Sequence, residues 1–192
     1  MDYLKILHEN PDLADEFDSL FDFFLLDELS PRDDAEGRCT FSLPGMAFAR
    51  DGSGGEYHLL EDGSGGEYHL LEDGSIGYYS SEGEAGRLAE SMDDLFSLLV
   101  SCICWHDCCD TKQYVDSKTL EEYGQRQRNT NLEDMDVDSL RWVSGALGIP
   151  TGAPLSPVLE RFRKATQREP VYQCVFHEDD GSLTESYGLM FE

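Results

Sequence analysis

The chain has 192 residues, 40% of them hydrophobic, and its 40 acidic residues against 14 basic ones give a formal net charge of −26. A chain of this size can bury a core without disulfides or metal ions. The charge excludes the basic footprint of a nucleic-acid-binding protein, and an anionic membrane surface would repel the chain. We therefore expect neither nucleic acid nor membrane as a partner.

The compartment follows from the N-terminus and the cysteines. The first residues lack the pattern of a signal peptide, and no apolar run approaches the ~20 residues that span a bilayer. Four of the six cysteines fall within residues 102–109, unlike the spaced framework of a secreted domain. We expect free thiols in a reducing cytosol, hence a cytoplasmic protein.

The first element that the sequence predicts is an acidic amphipathic helix. Asn10 suits the N-cap and Pro11 the first helical position. Apolar residues at helical spacing predict that the helix continues to near Ser30 and packs on a sheet of the same chain. These residues are Phe17, Leu20, Phe21, Phe24 and Leu25.

A strand-rich region follows a polar loop over residues 31–40. The segments CTFSL and MAFAR predict short strands, separated by Pro44-Gly45. Residues 52–62 and 63–73 then both read GSGGEYHLLED, with all 11 positions identical. Each copy predicts a glycine-rich turn and a short strand, and IGYYSS predicts the next strand.

The duplication creates a problem for the sheet. Because 11 is odd, one continuous strand through both copies would turn the side chains of the second copy to the opposite face. We expect one copy in the sheet and the other in a protruding loop or hairpin, and the sequence leaves open which copy is which. A spare sheet edge also makes self-association through the duplicated strand possible.

The remaining elements are predicted mainly as helices. Residues 80–86 are expected to form a loop, and residues 87–107 one amphipathic helix with Leu88 on its apolar face. Shorter helices are expected around residues 133–147 and within 157–167, and the last twenty residues predict a β-hairpin.

The cysteine cluster is the sharpest candidate for chemistry. Cys102, Cys104, His106, Cys108 and Cys109 are all zinc-type ligands, but no second pair of ligands lies at the distance that zinc sites use. On a helix, Cys102, His106 and Cys109 would share one face. The alternative is that the cysteines are small apolar residues at the end of a core helix, so we predict no metal and no cofactor and keep zinc binding as an alternative.

Catalytic signatures are absent from the sequence. There is no phosphate-binding Gly-Lys-Ser/Thr loop, no Gly-x-Ser-x-Gly and no HExxH. His58 and His69 occupy the same position of the two copies, which argues against a unique catalytic role. We expect a protein that is not an enzyme.

One segment supports a family resemblance. Phe48-Ala49 precedes the turn Asp51-Gly52-Ser53-Gly54-Gly55, and strands with Tyr57 and Tyr78-Tyr79 come next. The segment from Leu88-Ala89-Glu90-Ser91 to Leu99 closes the unit. Residues 43–105 thereby resemble the SUKH superfamily, which includes bacterial immunity proteins and fungal cell-wall regulatory relatives.

The resemblance implies a fold and a function. The fold would be α+β, with a curved, mostly antiparallel sheet and helices packed against it, in a single domain over residues 1–192. Within it, residues 1–40 would be an acidic helical region, residues 41–110 the SUKH-like core and residues 111–192 a helical segment with a terminal hairpin. The implied function is non-enzymatic: an immunity protein that neutralises a cognate toxin, or a regulatory or scaffold protein that binds other host proteins.

Residues 51–100 hold twelve acidic residues and one basic residue, Arg87. Such a field attracts a basic partner. We therefore predict an acidic contact surface for a cognate basic toxin or another protein. The predicted contact residues are Asp51, Glu56, Glu61, Asp62, Glu67, Glu72, Asp73, Glu82 and Glu84.

Overall fold

The structure is a computed structural model that describes residues 1–31, 39–52, 65–80, 82–133, 135–177 and 180–191. Within these ranges the chain is α+β, as predicted, with six α-helices and two antiparallel sheets. The helices are α1 (Tyr3–Glu9), α2 (Pro11–Phe21), α3 (Met92–Cys102), α4 (Ser117–Leu132), α5 (Val137–Ala146) and α6 (Ser156–Thr166). The strands are β1 (Phe24–Pro31), β2 (Cys39–Phe41), β3 (Gly45–Arg50), β4 (Glu67–Leu71), β5 (Ile76–Tyr79), β6 (Ala85–Ala89), β7 (Cys174–His177) and β8 (Leu183–Glu185).

The larger sheet has five strands in the order β1-β3-β4-β5-β6, and the smaller has three in the order β2-β7-β8. In the larger sheet each pair from β3 to β6 joins strands that are neighbours in sequence, as in a meander. The smaller sheet joins residues that are far apart, because β2 pairs with β7 near the other end of the chain.

One face of the larger sheet carries the main core. Three phenylalanine rings pack together with centroids 5.2–5.9 Å apart: Phe17 of α2, Phe96 of α3, and Phe23, which lies between α2 and β1. The ring of Tyr68 in β4 lies 5.0 Å from that of Phe23. Each of these four side chains is at most 1% exposed. Full burial of one such aromatic or aliphatic side chain contributes about 1.5–3 kcal/mol, so this cluster anchors the helices to the sheet.

The opposite face of the larger sheet packs against the smaller sheet. Since side chains alternate along a strand, His69 and Leu71 of β4 point away from Tyr68. Leu71 packs with Cys174, the first residue of β7, and with Tyr172 just before that strand. The ring of Phe41 in β2 stacks on Tyr172 at 6.0 Å. Strand β4 is therefore covered on both faces, which explains why even its charged residue Glu67 is buried.

The first predicted helix is correct at its start and wrong at its end. Asn10 is the N-cap and Pro11 begins α2, but the helix ends at Phe21. Residues 24–31, expected to be helical, form the edge strand β1 that pairs with β3. Helical apolar spacing continues across the boundary, so sheet pairing decided the conformation. Helix α1 was not predicted.

The predicted helix over residues 87–107 is also wrong in its first part. Residues 85–89, partly expected in a loop, form strand β6, and the helix begins only at Met92 behind the N-cap Ser91. All five residues of β6 are buried, so this strand shows none of the alternation that marks a half-exposed strand. The helix around residues 133–147, the helix after residue 156 and the terminal hairpin are confirmed.

The structure settles which copy of the duplication lies in the sheet. Strand β4 is the EYHLL of the second copy, between β3 and β5. The expected loop or hairpin of the first copy falls on residues 53–62, which lie outside the described residues. In the part of the chain that is described, no helix is long and apolar enough to cross a membrane.

Candidate functional site

A cleft of about 240 Å³ opens where α2, the end of β3 and the segment after α3 meet. We call it the acidic cleft. Its lining residues are Ser19, Leu20, Phe21, Asp22, Asp51, Tyr68, Ile103, Cys104, Trp105 and His106.

The rim of the acidic cleft is built from the last turn of α2. Asp18 lies in this turn, and Asp22 caps the helix in a left-handed conformation with φ of 51°. The carboxyl end of a helix carries partial negative charge, which favours basic residues there, yet the last turn of α2 contains none. The sequence thus places two carboxylates where the helix itself repels them.

The pKa values of these two carboxyl groups are both raised from their ordinary range. The pKa of Asp18 is raised to about 6. Burial is the largest cause, and the negative charges of Asp22 and Asp15 add to it. Burial also raises the pKa of Asp22, as does the charge of Asp51, while the hydrogen bond from the Gly52 backbone N–H opposes the shift. A cation placed in the cleft would relieve this repulsion.

Asp51 fixes the inner wall. It is 5% exposed, and its carboxylate accepts hydrogen bonds from the backbone N–H of Gly66 and from the hydroxyl of Tyr78, both at 2.8 Å. Only glycine fits at position 66, because a Cβ there would lie 2.1 Å from the Tyr78 hydroxyl oxygen. The ends of β3 and β4 are thereby held together beside the cleft.

Aromatic side chains form the remaining wall. The indole N–H of Trp105 donates to the hydroxyl of Tyr68 at 3.3 Å, and the Trp105 ring stacks on His106 with centroids 3.6 Å apart. The turn that brings them there includes Ile103 at φ of 70°, a costly conformation for a β-branched residue. Strained residues of this kind concentrate at functional sites. In the described part of the chain, the two residues other than glycine with a positive φ are Asp22 and Ile103, and both line the cleft.

The titratable groups beside the aromatic wall stay neutral. Burial lowers the pKa of His106, although the charges of Asp51, Glu84 and Asp107 oppose that shift. Burial raises the pKa of Cys104 to about 11, so its thiol is protonated at neutral pH and does not suit a nucleophile. The chemistry available in the cleft is recognition of positive charge by carboxylates beside aromatic rings.

Two predicted contact residues are buried and engaged inside the fold. Asp51 holds the ends of β3 and β4 together and accepts a hydrogen bond from Tyr78 of β5. Glu67 of β4 is 7% exposed, and its carboxylate lies 3.0 Å from the guanidinium of Arg50 and 3.0 Å from Nε2 of His69. Burial raises the pKa of Glu67, but the hydrogen bond and charge of His69, with Arg50, lower it overall. Neither carboxylate lies on an outer surface.

The other described contact residues are dispersed. Asp73 pairs with Arg168 at 2.7 Å, and Glu72 and Glu82 are exposed. Glu84 is half-buried, and its charge acts on His106. Of the predicted contact residues that the structure describes, only Asp51 and Glu84 lie near the acidic cleft. Glu56, Glu61 and Asp62 lie outside the described residues.

Sequence reasoning missed the cleft residues Asp22 and His106, and also Asp18, which lies beside Asp22. The available signal was a run of acids at the end of a helix. It was hidden because the helix was expected to continue to Ser30, which places both aspartates in its middle. His106 had been considered only as a metal ligand.

The cysteine cluster is part of the main core. Cys102, Cys108 and Cys109 are at most 3% exposed, and α3 ends at Cys102, so the helical register expected across residues 102–109 is wrong. Burial raises the pKa of Cys109, in keeping with an apolar role. Among the described residues, no group of three or more His, Cys, Asp or Glu is arranged to hold a metal ion.

No protein-family model matches the chain, and no curated protein or solved structure is significantly similar to it. The SUKH resemblance therefore stays a prediction that rests on the sequence motifs alone.

Proposed function

We propose that the chain is a non-enzymatic protein-binding module whose acidic cleft receives a basic side chain of a partner protein. The observation that carries the proposal is that Asp22, at the carboxyl end of α2, and Asp51 both line the cleft, with Asp18 one helical turn before Asp22. Burial raises the pKa of both Asp18 and Asp22; the charges of Asp22 and Asp15 also raise that of Asp18, and the charge of Asp51 raises that of Asp22. The arrangement costs the free chain stability and becomes favourable when a positive charge enters.

The cleft has the size and walls for one side chain. Its volume of about 240 Å³ exceeds that of a single residue's side chain but is small for a cofactor, since ligand pockets usually measure ≈ 300–1,000 Å³. A guanidinium or ammonium group could face the carboxylates while its methylene stem contacts Tyr68 and Trp105. The formal charge of −26 would attract a basic protein from a distance and raise its association rate.

The partner class that we propose is a basic toxin, for which this chain would be the immunity protein. Two features support this choice: the SUKH resemblance over residues 43–105, and the net charge of −26, which would complement the basic cleft of a nuclease-type toxin. We place the protein in a reducing cytosol, because Cys102, Cys104, Cys108 and Cys109 carry free thiols. A scaffold role would use the same cleft for a host protein.

The test is affinity capture from the source cells with three forms of the chain. They are the wild type, a cleft variant with Asp18→Asn and Asp22→Asn, and a control variant with Asp27→Asn and Glu28→Gln. Both variants remove two negative charges, but Asp27 and Glu28, although exposed like Asp22, lie on the edge strand β1 and do not line the cleft. Asparagine suits position 22, because it tolerates the left-handed conformation better than most residues.

We expect a basic protein that is retained by the wild type and the control and lost by the cleft variant, and that is released as salt is raised. Expression of the captured protein with and without this chain then separates the two roles. Growth arrest that the chain relieves supports immunity, and unaffected growth supports a scaffold. Equal retention by all three forms would contradict the cleft as the binding site.

A further inference from the structure

The repeat supplies two complete sets of residues for one place in the sheet. The identity of the two copies extends beyond the strand, because residues 51–64 and 62–75 both read DGSGGEYHLLEDGS. Strand β4 uses Glu67–Leu71 of the second copy, and residues 56–60 carry the same five side chains in the same order.

The contacts that hold β4 in place are made by residues that have a counterpart eleven positions earlier. His69 hydrogen-bonds to the hydroxyl of Tyr172 and to Glu67, and its counterpart is His58. Leu71 packs in the cluster between the sheets, and its counterpart is Leu60.

The turns on either side of β4 are also reproduced. Before the strand, Gly66 closes on Asp51, and Gly55 stands at the equivalent position of the first copy. After the strand, Asp73 accepts hydrogen bonds from the backbone N–H and the hydroxyl of Ser75, and Asp62 with Ser64 repeats this pair.

Exchange of the copies would only move eleven residues from one connection to the other. In the structure, residues 51–66 connect β3 to β4 and residues 72–75 connect β4 to β5. With the first copy in the strand, these connections would be residues 51–55 and 61–75. The entropy of closing a loop changes only slowly with its length, so the two arrangements differ little on this account.

We propose that the first copy can replace the second as strand β4, so that the chain exchanges between two registers separated by one whole repeat. Slippage by a single residue would turn every side chain to the wrong face, whereas a shift of one whole repeat returns identical side chains to the same places. The long connection then follows the strand, on the way to β5, instead of preceding it.

The test compares one leucine-to-alanine substitution in each copy. The variants are Leu71→Ala, Leu60→Ala, and both together. The reference is a chain without residues 63–73, in which Leu60→Ala must remove the leucine from the strand. The midpoint of urea unfolding is measured for each chain against its own parent.

In the shortened chain we expect a large fall of the midpoint, because a buried leucine is lost. In the full chain we expect little change from either single substitution, since the intact copy fills the strand, and the full fall only in the double variant. If Leu71→Ala alone lowers the midpoint as far as the double variant does, the exchange does not occur.

Hydrogen exchange followed by mass spectrometry reads the register directly, even if the double variant does not fold. The alanine gives the peptides of the two copies different masses. In the Leu71→Ala chain we expect the protected amides in residues 56–60. Protection that stays on residues 67–71 would overturn the proposal.

Discussion

Asp18 shows most clearly how one residue can cost stability at a candidate site. It lies in the last turn of α2, and burial with the charges of Asp22 and Asp15 raises its pKa to about 6 from 3.8. A carboxyl group with a raised pKa opposes folding once it ionises. The penalty is absent at low pH, where the group is protonated in both states, grows as the pH rises from 3.8 to about 6, and is complete above that value.

We predict that Asp18→Asn raises the free energy of unfolding at pH 7.5 by about 1 kcal/mol, allowing for screening by solvent. The gain should disappear as the pH falls toward 4. Urea unfolding at both pH values measures it, with Asp27→Asn on the exposed edge of β1 as the control. Destabilisation at pH 7.5 would show that the Asp18 carboxylate supports the fold.

Arg87 has a structural role inside the fold that the acidic sequence around it does not indicate. It is the one basic residue between positions 51 and 100, yet it is 1% exposed in strand β6. Its guanidinium donates to the Ser75 hydroxyl at 2.9 Å and to the carbonyls of Arg168 and Pro170 at 3.1 Å. It holds the turn after β4 to the segment before β7, and it also pairs with the carboxylate of Asp73 at 3.4 Å.

Among the elements, two helical glycines differ only in their surroundings. A Cβ at Gly124 of α4 would lie 2.9 Å from Cβ of Leu155, whereas a Cβ at Gly145 of α5 has nothing within 4 Å. Both substitutions to alanine gain the same intrinsic helix propensity of about 1 kcal/mol.

We predict that Gly145→Ala raises the free energy of unfolding by about 0.5–1 kcal/mol, and that Gly124→Ala lowers it by about 1–3 kcal/mol because α4 and α6 must separate. Urea unfolding of the two variants side by side measures both effects. A stabilising Gly124→Ala would mean that α6 adjusts its position without cost.

The elements also show what the sequence could predict. Strand β4, strand β5, helix α5 and the terminal hairpin follow from local pattern and turn chemistry. Strands β1 and β6 do not, because their residues continue the helical spacing of α2 or lack alternation altogether. The boundary between α2 and β1 also decided whether the acidic cleft could be predicted, since a correct end of α2 is needed to recognise Asp22 as a cleft residue.

At the scale of the whole molecule, the charge of −26 is the dominant electrostatic fact. Like charges repel one another more in the compact state than in the unfolded chain, and dissolved salt screens them. We predict that raising sodium chloride from about 10 mM to 0.5 M, over which the screening length shortens several-fold, increases the melting temperature.

For a chain of this length, each kcal/mol gained raises the melting temperature by about 2–4 °C. A thermal scan at several salt concentrations measures the change, and potassium chloride serves as a control for specific sodium binding. A melting temperature that falls with salt would mean that internal ion pairs such as Arg50–Glu67 outweigh the overall repulsion.

The arrangement of the two sheets could not be predicted from local pattern. Both faces of the larger sheet are covered, one by helices and one by the smaller sheet. Its central strands therefore lack the alternation of buried and exposed residues by which a half-exposed strand is recognised. The pairing of β2 with β7 joins Thr40 to Val175 across most of the chain. No periodicity in the sequence records such a distant partner.

This distant pairing has a consequence for the order in which the protein is made. A ribosome completes β2 early and adds β7 and β8 only with residues 174–185. Until then the buried face of β4, with His69 and Leu71, has no cover, and the edge of β2 has no partner. The newborn chain therefore passes most of its synthesis with an open face, when a chaperone or a neighbouring chain could bind there.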